Sequence, residues 1–142
     1  MKQLIKSVLP DIVLKKYRAY RSLKKKAHIE KAYKGEDVLC PICNSSYKEF
    51  APFGVITRNN AQCHNCGSLE RHRLLFLYLH DKLNLFKSAE HPIRLLHFAP
   101  EKIFYNKFSD NQAIIYTPCD LFPERFQYNG KTEISKVDIT NQ

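Results

Sequence analysis

No apolar run in the chain approaches the roughly 20 residues that a membrane-spanning helix needs; the longest, LLFLYL, covers Leu74 to Leu79. The opening MKQLIKSVLPDIVLKK has no uninterrupted hydrophobic region and no small-residue cleavage site, which argues against a secretory signal. The expected compartment is the cytoplasm, where thiols stay reduced, so five cysteines are candidates for metal ligation rather than disulfides. Internal repeats and low-complexity segments are also lacking. At 142 residues the chain has room for one ordinary domain or two small ones.

Net charge is lacking outside one segment. Residues 1–34 hold eleven Lys or Arg against Asp11 and Glu30, a net of +9, which is the whole formal charge of the chain. The basic pI therefore describes an N-terminal arm and says little about the remainder. Within the arm, Leu4, Ile5, Val8, Leu9, Ile12, Val13, Tyr17, Tyr20, Leu23 and Ala27 recur with a helical period. Pro10 and Asp11 suit the first turn of a second segment, so the pattern predicts a short helix, a break and a longer helix. Three roles are open to this basic amphipathic helix: packing on its own domain, lying on an anionic membrane surface, or binding nucleic acid.

After KGEDVL (Lys34 to Leu39) come CPIC (Cys40, Cys43) and CHNC (Cys63, Cys66), with nineteen residues between the pairs. Each pair can present two thiolates to one metal from a tight turn, and a hairpin between them would close a tetrahedral site. Pro41 and Gly67 suit such turns. Four thiolates leave no open position for water, so the expected metal is a structural zinc ion; a redox pair would need only one Cys-x-x-Cys. His64 is redundant to this set, and Cys119 reads as a small half-buried residue. Between Cys40 and Cys66 only Lys48 and Arg58 are basic, against Glu49, a sparse footprint for a nucleic-acid interface.

From Ser68, a plausible N-cap, SLERHRLLFLYLHDKLNLF reads as a helix with Leu69, Phe76, Leu79 and Leu83 on one face. Arg71 and Arg73 fall near its first turn, where the helix dipole disfavours cations, and they call for an anion. Glu70 or Glu36 can supply it, or a bound phosphate or carboxylate can. The pattern then changes to IRLLHF (Ile93 to Phe98) as a strand, EKIFYNKFSD as a helix, AIIYTP (Ala113 to Pro118) as a second strand and EISKVDI (Glu133 to Ile139) as a third. Strand, helix, strand at this spacing predicts a parallel βαβ unit. The fold class is thus α/β: an N-terminal basic helix (1–34), a four-cysteine zinc ribbon (35–67), a connecting helix (68–90) and an incomplete Rossmann-type parallel sheet of about three strands (91–142).

The series CPIC, FAPFG, RNNAQCHNCGSLERHRLLFLYL, LLHFAPE, CDL and VDIT resembles a bacterial family of class I S-adenosylmethionine-dependent methyltransferases with an N-terminal zinc ribbon. The similarity runs from about Cys40 to Thr140 and leaves residues 1–34 outside it. It implies that the loop His97 to Glu101, including Ala99, replaces the usual glycine-rich loop around the methionine part of the cofactor. It implies further that Asp120 hydrogen-bonds the ribose and that Asp138 lies near the adenine. The carboxyl ends of parallel strands are where nucleotide-like ligands sit, and His97, Asp120 and Asp138 all fall at such ends; acidic residues there also commonly cap turns.

Two departures from the family pattern stand out. The loop has no Gly-x-Gly, and three strands stand where such a sheet has about seven, so the chain reads as truncated after the third strand. Weak or absent binding of S-adenosylmethionine by the chain alone is the resulting expectation, with the methyl acceptor and any catalytic residue unknown. The edge along residues 134–139 is expected to expose strand hydrogen-bonding groups that invite pairing or oligomerisation. The competing function is a zinc-ribbon module that binds nucleic acid or a membrane surface, peripheral at the inner membrane.

Overall fold

A computed structural model of the chain describes residues 11–87, 92–128 and 132–140. The short helix expected before Pro10 lies outside the described residues. The described residues divide into two compact units, one holding the basic helix through Cys40 together with residues 44–65, the other holding residues 41–43 and those from Cys66 onward.

In the first unit, α1 spans Asp11–Ala32. No helix-breaking residue interrupts it until Gly35. Two small antiparallel hairpins follow. Strands β1 (Val38–Cys40) and β2 (Ser45–Tyr47) pair in the register Val38 to Tyr47, and β3 (Ala51–Phe53) and β4 (Arg58–Gln62) pair from Ala51 to Gln62. The hairpin expected between the cysteine pairs is β3–β4, which lies wholly between Cys43 and Cys63, and the β1–β2 hairpin that carries Cys40 and Cys43 at its turn is added to it. Gly35 is needed where the end of α1 meets the first hairpin: Lys48 N–H donates to Tyr33 O at 2.9 Å, and a Cβ on Gly35 would lie 2.8 Å from the Lys48 backbone. Ala61 and Phe50 are buried, and Asn60 Oδ1 accepts the Phe50 N–H at 2.6 Å.

The second unit opens with α2 (Glu70–Leu77), which widens into a π-helical turn over Tyr78–Lys82. Leu83 N–H bonds back to Tyr78 O at 3.2 Å, and Asn84, at φ 50, ends the helix in the left-handed region. The long regular helix read from the sequence is thus a short one with a widened last turn. Leu69 and Phe76 are buried as expected, but Leu83 is about half exposed, because the wider turn rotates it off the predicted face.

Strand β5 (Ile93–Phe98) coincides with the predicted strand, α3 covers Lys102–Ser109, and β6 runs Ile114–Asp120. β5 and β6 are parallel from Ile93 beside Ile114 to Phe98 beside Cys119. β7 is only Ser135–Lys136, parallel to the end of β6, with Val137 N–H still bonded to Asp120 O at 3.0 Å. The third strand expected over 133–139 is shorter because Asp138 turns the chain: its Oδ1 accepts Thr140 N–H at 2.9 Å and the Thr140 hydroxyl at 2.6 Å. The order β5-β6-β7 is consistent with part of a Rossmann-like sheet.

Alternation along β5 puts Ile93, Leu95 and His97 on the face covered by α3, and Leu96 and Phe98 on the exposed one. α3 buries Phe104, Tyr105 and Phe108, spaced to share one side of the helix. Phe108 is central to an aromatic core, with Phe86, His97, Phe104 and Tyr116 all within 6.0 Å of its ring centroid. Tyr128 donates its hydroxyl to Pro100 O at 2.9 Å, and Tyr105 donates to Thr132 O.

Candidate metal centre and carboxyl-end loops

The ligand atoms of Cys40, Cys43, Cys63 and Cys66 lie within 4.8 Å of one another. Zinc with bonds of about 2.3 Å to four thiolates sets the sulfurs roughly 3.8 Å apart, so this donor set fits a tetrahedral metal ion such as zinc. Cys40 and Cys63 are buried and the other two are partly so. Local backbone explains the convergence. Asn44 N–H bonds to Cys40 O at 2.8 Å, and Asn44 (φ 54) and Gly67 (φ 74) each leave their Cys-x-x-Cys turn in the left-handed region. The sequence pointed to Gly67; Asn44 escaped notice, although Asn is the next residue that tolerates this conformation. Ser68 is fully buried with its hydroxyl 3.2 Å from Cys66 Sγ, placed to donate to a thiolate.

His64 is absent from the quartet. Its ring packs 4.2 Å from Tyr33 and 5.0 Å from Tyr47, and its Nε2 lies 3.1 Å from Glu49 O, so it braces the hairpins. Cys119 is fully buried in β6, where burial and then the neighbouring Asp120 charge push its thiol pKa up.

The start of α2 differs from its sequence reading. The N-cap is Leu69, and His72 occupies the position where a capping box would place Glu or Gln. His72 Nδ1 accepts the Leu69 N–H at 3.0 Å, which leaves the ring proton on Nε2, 2.9 Å from Glu101 Oε1. Arg71 Nη2 donates to the same oxygen at 2.7 Å. The anion that Arg71 calls for is thus Glu101, thirty residues on, rather than only the local acids considered from sequence. Arg73 instead donates to Ser68 O at 2.9 Å, closing the turn after the last cysteine. Burial alone would raise the Glu101 pKa; hydrogen bonds and charge from Arg71 and His72 outweigh it and hold the carboxyl below its ordinary range.

The residues expected to meet a cofactor all lie at the carboxyl ends of the strands, in two kinds of setting. His97 sits on the covered face: its Nδ1 lies 2.8 Å from the Tyr116 hydroxyl, its ring packs edge-on against Phe108, and burial lowers its pKa despite the opposing charge of Glu101. It packs within the aromatic core. Glu101 is the N-cap residue of α3 and is held by α2 as described. Asp120 Oδ1 accepts Phe122 N–H at 2.8 Å and Asp138 caps its own turn, so each stabilises the bend where its strand ends.

Ala99 differs from these four. It adopts φ 47, a conformation glycine takes freely and L-residues rarely do, and its N–H bonds to Cys119 O at 3.0 Å. Since Phe98 lies beside Cys119, the turn at Ala99 begins next to Asp120. No family model, curated protein or solved structure matches the chain. Among the described residues, no helix is long and apolar enough to cross a membrane.

Proposed function

We propose that the chain is the zinc-ribbon and cofactor-binding portion of an S-adenosylmethionine-dependent methyltransferase. The observation that carries this reading is the left-handed turn at Ala99 beside Asp120, at the carboxyl ends of two adjacent parallel strands. Backbone strain of this kind costs on the order of 1 kcal/mol and concentrates where a loop must approach a ligand. In Rossmann-like sheets that location is the nucleotide crevice. The turn at Ala99 gives the HFAPE loop the backbone shape that the missing Gly-x-Gly would otherwise supply.

In this reading the loop from Phe98 to Glu101 receives the methionine part of the cofactor, Asp120 the ribose, and Asp138 the adenine side. Glu101, with its carboxylate held ionised by Arg71 and His72, is suited to a cationic group such as the α-ammonium. The cofactor supplies the activated methyl; these residues only bind and orient it. The cysteine quartet holds one zinc with a structural role, because four thiolates fill its coordination.

The test is an amide-resonance NMR titration of the full, zinc-loaded chain with S-adenosylmethionine up to a concentration on the order of millimolar, which registers even weak binding. The expected result is shifts confined to Phe98–Lys102, Asp120–Phe122 and Asp138–Thr140, lost in Asp120→Asn. No shifts at that concentration, or shifts only elsewhere, would reject the proposal.

A further inference from the structure

Helix α1 gathers several of its large apolar residues on one arc, and that arc is left in water. Ile12, Val13, Tyr17, Tyr20 and Leu23 fall on one arc of a helix with about 3.6 residues per turn. Ile12 and Leu23 are each 68% exposed, Tyr17 56%, Tyr20 54% and Val13 43%. The two partly covered apolar side chains, Leu14 and Ile29, lie on the opposite side. The helix therefore does not use this arc to pack on its own domain, the blandest of the roles open to it.

Charge shows what fits the arc. Residues 12–29 contain seven Lys or Arg and no acidic residue. Lys16 and Lys24 lie along the arc itself, and both are exposed. The Lys24 ammonium stands 4.9 Å from the Tyr20 ring centroid and the Arg21 guanidinium 5.9 Å from that of Tyr17, so cation and aromatic occupy one surface. Aliphatic residues, tyrosines and long basic side chains that can reach outward are what a helix lying in a lipid headgroup layer requires. A nucleic acid would satisfy the lysines but leave Ile12, Val13 and Leu23 in water.

We infer that α1 is an interfacial anchor that lies on an anionic lipid bilayer, with Ile12, Val13, Tyr17, Tyr20 and Leu23 entering the headgroup region and the basic side chains contacting lipid phosphates. This is independent of the cofactor reading, since it uses no residue of the sheet.

The test is co-sedimentation of the full, zinc-loaded chain with vesicles of equimolar phosphatidylglycerol and phosphatidylcholine, compared with phosphatidylcholine alone. Strong preference for the anionic vesicles is expected. Joint Ile12→Gln and Leu23→Gln exchange keeps both charge and much of the helix propensity, and should weaken binding at least about tenfold. Joint Lys16→Gln and Lys24→Gln exchange should weaken it by a similar factor. Circular dichroism and zinc content should match the parent chain in both variants. Equal binding to both vesicle types would overturn the inference. So would unchanged vesicle binding by the Ile12 and Leu23 variant, the result expected of a purely electrostatic surface for polynucleotide or acidic protein.

Discussion

His72 Nε2 donates to Glu101 Oε1 at 2.9 Å, and through this bond the first turn of α2 is tied to the N-cap of α3. The two residues lie twenty-nine positions apart, and Arg71 reinforces the tie from the exposed side. His72 is buried and uses both ring nitrogens, one for the Leu69 N–H and one for Glu101. A single imidazole thus serves as helix cap and as crosslink between two elements.

Glu101→Gln should lower stability by about 1 kcal/mol at neutral pH, since the partners are hydrogen-bonded but partly exposed. The folded-state pKa of Glu101 lies below its unfolded value. Its contribution is therefore full above the ordinary carboxylate range, near 4.3, and is lost as pH falls through the folded-state value. Denaturant titrations of the parent and variant should converge on acidification. A gap that stays constant through the acid range would contradict the assigned role of the carboxylate. His72→Ala should cost more, roughly 1–3 kcal/mol, because it also leaves the Leu69 N–H without its acceptor.

Replacing Cys63 with Ser should abolish the binding of one zinc per chain, measured as metal content after gel filtration. Chelation of the parent chain should produce the same loss of ordered structure around residues 40–85, because structural zinc contributes folding energy directly, on the order of 10 kcal/mol in small domains. His64→Ala should retain the metal, since that side chain stacks on Tyr33 and Tyr47 and is outside the thiolate quartet.

Ala99 provides a backbone test. Glycine there removes the Cβ clash of φ 47, worth about 1 kcal/mol, but frees the unfolded chain by a comparable amount, so thermal stability should change little. Valine, stiff and β-branched, should destabilise by more than about 1 kcal/mol. Equal melting temperatures for the alanine and valine forms would show that the turn does not hold the left-handed conformation.

The aromatic core should be least tolerant at Phe108, which touches rings from the strands, from α3 itself and from the segment after α2. Phe108→Ala is expected to cost about 3–5 kcal/mol in equilibrium unfolding, against well under 1 kcal/mol for an exchange at the exposed Thr117.

Local rules explain which parts were legible in advance. β5 was readable to the residue because a short apolar run bounded by proline and a turn has few other ways to fold. The cysteine quartet was readable because the reach of two Cys-x-x-Cys turns dictates the donor geometry. The boundaries of β7 and the widened turn of α2 were not, since each depends on a turn or a helix end that competes with the periodic pattern on equal terms.

By itself the sequence determined the α/β class, the placement of basic charge in an N-terminal helix, the thiolate set and the βαβ unit, all of which follow from spacing and period. Only the tertiary structure decided that Arg71 meets Glu101, that His97 serves the core through Tyr116, that Asp120 and Asp138 cap turns, and that the apolar arc of α1 stays uncovered. The physical reason is the same in each case: a charge or an apolar side chain specifies the kind of neighbour it needs, but only chain folding decides which residue comes close enough to be that neighbour.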